Sequence, residues 1–509
     1  MAIVKPLKTG PSGRRQLQLL SPATLEPIGT IECMTPEDVR SLVAKAREAQ
    51  PAWAALTFEQ RGAYMLKALD ILLARQDDFI SVIEREGPKP RLDVVQMDIF
   101  PVCDALGFYA KHAATYLQTQ KVELHGVLAM TKDLYIMHKP LGVAAIISPW
   151  NGPFVLAIVP AIQALMAGNT VVVKPSSVTP MSGKLVEDLF KMAGVPEGVV
   201  SVVIGDSQSG QALLEADIDK VTFTGSVAVG RHVAKTCAER LIPCTLELGG
   251  KDAMIICADA NLDNAAGGAV AGCFINTGQY CCGTERVYVV ESVADEFIKK
   301  VVERTSNLRQ ATEGDFDVGT LFTPEQLETV EQHVADAVAK GAKVLIGGRR
   351  NPHLKGLYYE PTVLVNVNHD MLVMTEETFG PVMPIAPVKD EDEAIRLAND
   401  SVYGLSSSVW TENIDKGLDL ARRVSSGSCN INDMAVTFGV CEAPFGGVRH
   451  SGIGRSNGEY GLKGYCNIHP VIVDKMSGAV TAAMYPTSLE KARMMQETCR
   501  AIFGAGSGL

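Results

Sequence analysis

Leu141-Gly-Val-Ala-Ala-Ile-Ile-Ser148 and, further on, Gly168-Asn-Thr-Val-Val-Val-Lys174 are short runs of Val, Ile and Ala that end at polar residues. The segment between them, 153–167, is apolar over a helical length. Runs this short and this rich in β-branched residues read as buried strands, and a strand, helix and strand in series read as one right-handed crossover of a parallel sheet. The unit recurs. Strands are expected at 141–148, 170–174, 199–204, 220–223 and 243–248, with helices at 153–167, 181–193, 208–215 and 227–239. Helices then cover both faces, and ligands belong at the carboxyl ends of the strands.

A second α/β series starts near Asp252, with strands expected at 253–257, 286–290, 343–346, 406–410 and 428–431 and helices at 293–309 and 324–339. Two lobes follow. The segments 127–140 and 465–473 fit neither rhythm and read as an extended arm. Met494, Met495, Cys499, Ile502 and Phe503 fall on one face of a C-terminal helix, which is expected to pack on the protein's own body, with a frayed tail at 504–508.

The chain has 509 residues, 47% of them hydrophobic and 21% charged, enough for more than one core. A net charge of −11 opposes nucleic-acid binding, which needs clustered Lys and Arg. No apolar stretch reaches membrane-spanning length without charges or turn residues, so a soluble protein is expected. The twelve cysteines are scattered, and the basic N-terminus lacks an apolar signal core, which points to a reducing cytoplasm.

The sharpest chemical signal is Phe274-Ile-Asn-Thr-Gly-Gln-Tyr-Cys281-Cys-Gly-Thr-Glu-Arg286, a glycine-framed cysteine pair ahead of a strand. A cysteine is a nucleophile only where its thiolate is favoured, and taken alone such a cysteine is more often a buried structural thiol than a catalyst. Adjacent cysteines lack the Cys-x-x-Cys spacing of a redox or zinc site, so no metal is expected. Leu246-Glu247-Leu248-Gly249-Gly250-Lys251 puts a carboxylate at the end of an apolar strand. Burial raises such a group toward neutrality and suits it to general-base work, although an ion pair explains it as well. No Gly-x-Gly-x-x-Gly fingerprint and no phosphate loop occur. Phe223-Thr-Gly225-Ser226-Val-Ala-Val-Gly230 instead joins a strand to a helix whose N-terminus can meet a pyrophosphate.

Together these segments resemble the aldehyde dehydrogenase superfamily from about Ser21 to Val473. The resemblance also rests on Pro149-Trp-Asn151-Gly-Pro-Phe154, Gly168–Ser176, Glu376-Glu377-Thr-Phe379-Gly-Pro-Val382 and Pro444-Phe-Gly-Gly-Val-Arg-His-Ser-Gly-Ile-Gly-Arg455. It implies that Cys281 attacks an aldehyde, that Asn151 and the Cys281 backbone N–H hold the oxyanion, and that Glu247 activates water to hydrolyse the thioester. It further implies NAD or NADP as cofactor. Lys174 would contact the adenosine ribose, Ser226 a phosphate and Glu377 the nicotinamide ribose. Phe379 would lie beside the nicotinamide and Trp150 in the same cleft, completed by Ser148, Pro149, Ser176, Ser177, Gly225, Gly230, Leu248 and Gly249.

The implied fold has a Rossmann-like cofactor lobe at 1–120 and 142–248 and a catalytic lobe at 249–451. An oligomerisation arm at 121–141 and 465–478 would serve a homodimer or homotetramer, and 479–509 forms a C-terminal extension. Ser177 stands where strongly NAD-preferring relatives often carry Glu, so NADP⁺ should be accepted. Gly152 replaces an aromatic residue of many relatives, which predicts a roomy apolar tunnel lined by Gly152, Val155, Leu156, Val159, Tyr280 and Cys282 that favours medium-chain or aromatic aldehydes. Pro88 and Ser456 also depart from the pattern and are expected to lie outside the chemistry. A semialdehyde dehydrogenase is the first alternative. A CoA-acylating relative is opposed by Glu247, and a non-catalytic one by the presence of Cys281 and Asn151.

Overall fold

The computed structural model describes residues 3–7, 13–476 and 485–504. Its first large sheet is six-stranded, in the order Gly452–Ile453, Cys244–Glu247, Lys220–Thr224, Val143–Ile147, Thr170–Lys174, Val200–Val202. All neighbours are parallel except the Gly452–Ile453 edge, which runs antiparallel to Cys244–Glu247. The crossovers are the helices Val155–Met166, Pro180–Met192, Ser207–Glu215 and Val227–Glu239. Because both sheet faces are covered, the strands are almost wholly buried and carry no alternation, which is why continuous apolar runs marked them in the sequence.

The second sheet has seven strands, in the order Lys343–Ile346, Thr362–Val365, Val382–Val388, Thr284–Val290, Asp252–Ile256, Ser407–Trp410, Asn430–Ile431. Two of these were not read from the sequence. Val382–Val388 contains Pro384 and Pro387, and proline argues against a central strand. The strand tolerates them by dividing its partners, pairing with Thr362–Val365 up to Pro384 and with Thr284–Val290 from Ile385 onward. Thr362–Val365 is only four residues long and gives little pattern to detect.

The arm is a three-stranded antiparallel sheet, with Lys132–Pro140 between Gln120–Val122 and Cys466–Asp474. The segment expected to be extended from 127 is helical over Gly126–Thr131, where Leu, Ala and Met are good helix formers. Ile468 and Ile472 on the edge strand are exposed. The C-terminal helix Leu489–Phe503 forms as read, but none of its residues is buried, and Met494, Met495 and Phe503 are exposed. The expectation that it packs on the protein's own body is therefore corrected: among the described residues its apolar face is left uncovered. The start of the extension at 479–484 and the tail at 505–508 lie outside the described residues.

Candidate active site

The cysteine loop is built from three consecutive left-handed residues, Asn276 (φ +50°), Thr277 (φ +60°) and Gly278 (φ +72°). Only Gly278 is the residue type that such a backbone favours, and a Cβ there would fall 2.1 Å from the Gly380 carbonyl oxygen. Buried amides fix the loop. Gln279 donates to the carbonyls of Asn276 and Thr320, at 3.0 Å each, and accepts from the Phe322 N–H at 2.8 Å. Asn276 donates to the carbonyls of Asn151 and Gln279 at 2.9 and 3.0 Å. The Asn151 amide donates to the Gln279 carbonyl at 3.2 Å, so Asn151 and the cysteine loop form one unit.

Asn151 is held from behind by the buried pair Lys89 and Asp98, which no sequence motif marks. Lys89, in the segment containing Pro88, bonds Asp98 at 2.7 Å and donates to the Asn151 carbonyl at 3.3 Å. Asp98 also accepts the N–H groups of Phe154 and Val155 at 3.1 Å each, satisfying the start of the helix Val155–Met166.

Glu247 ends the strand Cys244–Glu247, between Thr224 on one side and Gly452 on the other. Burial pushes its carboxyl up to about 8, against the pull of the Ser456 hydroxyl, which donates to Oε1 at 2.9 Å. The other oxygen, Oε2, is buried without a hydrogen-bond partner. Ser456, expected to lie outside the chemistry, is thus in contact with Glu247. Cys281 is partly buried, and its thiol is held well above the ordinary range first by the hydrogen bond with the Cys282 thiol, then by burial and by the neighbouring acidic groups Glu247 and Asp252.

Two cavities meet at Asn151. The first, of ≈ 260 Å³, brings together Pro149, Trp150, Asn151, Gly225, Ser226, Glu247, Leu248, Gly249, Cys281, Glu377 and Phe379, all named from the sequence, and adds Thr224 and Gln326. Ser226 caps the helix Val227–Glu239 through a long 3.4 Å bond from the Val229 N–H, so that helix N-terminus faces the cavity with donors to offer. Glu377 accepts from the Gly250 N–H at 3.0 Å, and burial beside Glu285 pushes it up to about 8. A partly buried carboxyl with so few donors fits the hydroxyls of a ribose. Gly249 is required by closeness, since a Cβ there would lie 2.2 Å from Glu377 Oε2. Trp150 stacks on Phe322 at 5.0 Å and meets Phe379 edge-on at 5.6 Å, forming an aromatic wall. These residues fit a dinucleotide.

Ser148, Lys174, Ser176, Ser177 and Gly230 do not line that cavity. Lys174 is buried with its ammonium on the carbonyls of Pro175 and Gly205 at 2.7 and 2.9 Å, and burial brings it down to about 8. Ser176 accepts from the Val178 N–H, and Gly230 lies against Leu248.

The second cavity, of ≈ 240 Å³, is lined by Gly152, Val155, Leu156 and Tyr280 as read, and by Met97, Phe100, Met434 and Phe438 among others not foreseen. Among the described residues no Lys, Arg or His lines it, and its acidic residue is Asp433. Val159 lies deeper, in a small cavity of ≈ 10 Å³ with Glu247, Cys281 and Ser456. Cys282 lines none of these: it is buried with Leu405, Ala435 and Phe445, because the chain turns inward after Cys281 toward the strand Thr284–Val290. Its assignment to the tunnel is corrected accordingly. The unforeseen lining comes from 96–101, which include a stretch of wide helix at Val95–Ile99, and from 433–439, segments with no motif of their own.

Residues 9–471 match the model of the aldehyde dehydrogenase family. A Mycolicibacterium smegmatis protein provisionally named as an NADP(+) succinate-semialdehyde dehydrogenase is 40% identical over 88% of this chain and 86% of its own length. The 4,4'-diapolycopene aldehyde oxidase of a Methylomonas species is 38% identical over 87% and 83%. A Mycobacterium tuberculosis aldehyde dehydrogenase complexed with NAD⁺ superposes with a TM-score of 0.85 at 35% identity, covering 90% of this chain and 94% of the other. An NADP-dependent enzyme of E. coli gives 0.86 at 31% identity, covering 92% and 98%.

Proposed function

The chain belongs to the aldehyde dehydrogenase family, and we propose that it oxidises medium-chain aliphatic or aromatic aldehydes to carboxylic acids. The observation that carries the substrate class is the second cavity, apolar along most of its wall and without a lysine, arginine or histidine. A relative is named for succinate semialdehyde, and that name favours an anionic substrate. A carboxylate desolvated in this cavity would find no cation and would face Asp433. Each buried CH₂ of an alkyl chain instead contributes about 0.8 kcal/mol.

In this reading the Cys281 sulfur adds to the aldehyde carbonyl as its proton leaves, and the Asn151 amide and Cys281 backbone N–H hold the oxyanion. NAD⁺ or NADP⁺, when bound, supplies the hydride acceptor. Trp150, Phe379 and Glu377 shape its berth, and the N-terminus of the helix Val227–Glu239 with Ser226 takes the pyrophosphate. Oxidation leaves a thioester on Cys281, and Glu247 then takes a proton from water so that the hydroxyl attacks the thioester carbon. Hydrolysis rather than transfer to CoA follows from that buried base.

We assign 1–120 and 142–248 to cofactor binding, 249–451 to catalysis, and 121–141 with 465–478 to an arm. The exposed edge strand Cys466–Asp474 suits pairing into a homodimer or homotetramer. Among the described residues no helix is long and apolar enough to cross a membrane. Twelve unpaired thiols suit a reducing cytoplasm.

The test is a steady-state comparison of hexanal, benzaldehyde, acetaldehyde and succinate semialdehyde with each cofactor. Hexanal should exceed acetaldehyde and succinate semialdehyde in kcat/KM by at least about tenfold. Succinate semialdehyde emerging as the best of the four would overturn the substrate class and leave the family chemistry standing.

A further inference from the structure

Arg455 is followed by a serine that the reaction above leaves unused. Ser456 is buried, and its main chain is fixed by paired bonds with Phe445: its N–H donates to the Phe445 carbonyl at 2.7 Å and its carbonyl accepts the Phe445 N–H at 2.8 Å. The next residue, Asn457, sits at φ +60° and is tied at both ends of its side chain, accepting from Gln163 at 2.9 Å and donating to the Phe438 carbonyl at 2.7 Å. The Ser456 hydroxyl is therefore delivered to Glu247 Oε1, at 2.9 Å, by a backbone with little freedom to move.

Glu247 is divided by that bond. Oε1 is taken, while Oε2 is buried and unpartnered. Cys281, Glu247, Ser456 and Gln163 together enclose the cavity of ≈ 10 Å³, about the space that the centre of one water molecule occupies. Glu247, which has one oxygen without a donor, and Cys281, which carries the acyl group, thus line the same one-water space.

We propose that Ser456 is a positioning residue for deacylation: by occupying Oε1 it aims Oε2 at the water that hydrolyses the Cys281 thioester. The proposal rests on the thioester mechanism above. Water gives a proton to Oε2 as its oxygen bonds the thioester carbon. The C–S bond breaks, the acid leaves, and the proton passes from Glu247 to the Cys281 sulfur, restoring the starting enzyme. No electrons are exchanged in this half-reaction.

The hydroxyl also favours the charged form of Glu247 against the burial that raises it to about 8. Without the donor, the carboxylate fraction at a given pH falls, and the acidic limb of the deacylation profile moves to higher pH.

The test compares wild type with Ser456→Ala and Ser456→Cys, the latter nearly conserving volume while weakening the donor. Rapid mixing with hexanal and cofactor reads the first turnover as a burst of reduced nicotinamide. Intact-mass analysis of quenched samples follows loss of the acyl group. Both variants should keep the burst rate, lose about tenfold in acyl-enzyme hydrolysis, and shift the acidic limb of that hydrolysis upward in pH. Unchanged hydrolysis in either folded variant, or burst and hydrolysis falling together with the pH limb in place, would overturn the proposal. Should Ser456→Ala not fold, Ser456→Cys alone decides. If wild type accumulates no acyl adduct and Cys281→Ala stays active, the thioester mechanism has failed instead.

Discussion

The two cavities that meet at Asn151 are of similar size, ≈ 260 and ≈ 240 Å³, yet they are assembled in opposite ways. The cofactor side is made of strand ends and the turns that follow them: Pro149–Asn151 after Val143–Ile147, Thr224–Ser226 after Lys220–Thr224, and Glu247–Gly249 after Cys244–Glu247. Each piece is local, so glycines, a helix cap and a carboxylate keep their spacing in the sequence. The substrate side gathers 96–101, the start of the helix Val155–Met166, Ile275, Tyr280 and 433–439, apolar positions that any core would contain. Chemistry is encoded locally here and selectivity is encoded by assembly. Mutations at the shared point, then on the cofactor side, then on the substrate side, probe that division.

The largest effect falls where the cavities meet. Cys281→Ala removes the only sulfur that lines the cofactor cavity among the described residues, since Cys282 is turned into the core. We expect loss of kcat/KM by about 10⁴-fold or more with every aldehyde, as for removal of a covalent nucleophile. Retained activity through Cys282 would break the separation of the two thiols. Asn151→Ala comes next, at about 10²- to 10³-fold in kcat, the usual cost of one oxyanion donor. Because Asn151 also accepts from Asn276 and Lys89 through its backbone carbonyl, which alanine keeps, the loop should stay in place. A matching loss of thermal stability would assign the defect to folding instead.

The same division explains what could be read beforehand. The five parallel strands of the first sheet lie within two residues of their expected bounds, because burial on both faces writes strands as plain apolar runs, whereas the two-residue edge Gly452–Ile453 was not read. Val382–Val388 escaped because its two prolines contradict a central strand until the split pairing is known. Cys281, Glu247 and Asn151 were legible as motif residues. Ser456 was not, because its contact with Glu247 spans 209 residues and depends on the antiparallel return of Gly452–Ile453. Lys89 and Asp98 were invisible for the same reason: a buried pair has no sequence signature until its partner is adjacent.

A moderate effect is expected at the cofactor's edge. Ser177 lies just beyond the strand Thr170–Lys174, outside the lined cavity. Ser177→Glu would set a carboxylate toward a 2′-phosphate. The ratio of kcat/KM with NADP⁺ to that with NAD⁺ should fall about tenfold, the effect of roughly 1.4 kcal/mol of like-charge repulsion. An unchanged ratio would place the adenosine ribose elsewhere.

The smallest change tests whether selectivity on the substrate side is a matter of charge as well as shape. Asp433 is exposed at the wall of the second cavity and forms a hydrogen bond only with the adjacent Met434 N–H, at 2.7 Å, so replacing it disturbs little. Asp433→Arg converts the anion of this lining into a cation while leaving Gly152, Val155 and Leu156 in place. Solvent screens an exposed charge to about 1 kcal/mol, so kcat/KM for succinate semialdehyde should rise about fivefold while that for hexanal stays within twofold. The effect should shrink as salt is raised toward 1 M, where the screening length is about 3 Å. A rise for both aldehydes would mean that Asp433 shapes the entrance rather than charges it. No rise for either would mean that substrate enters by another wall, and the apolar cavity would then lose its claim to set the substrate class.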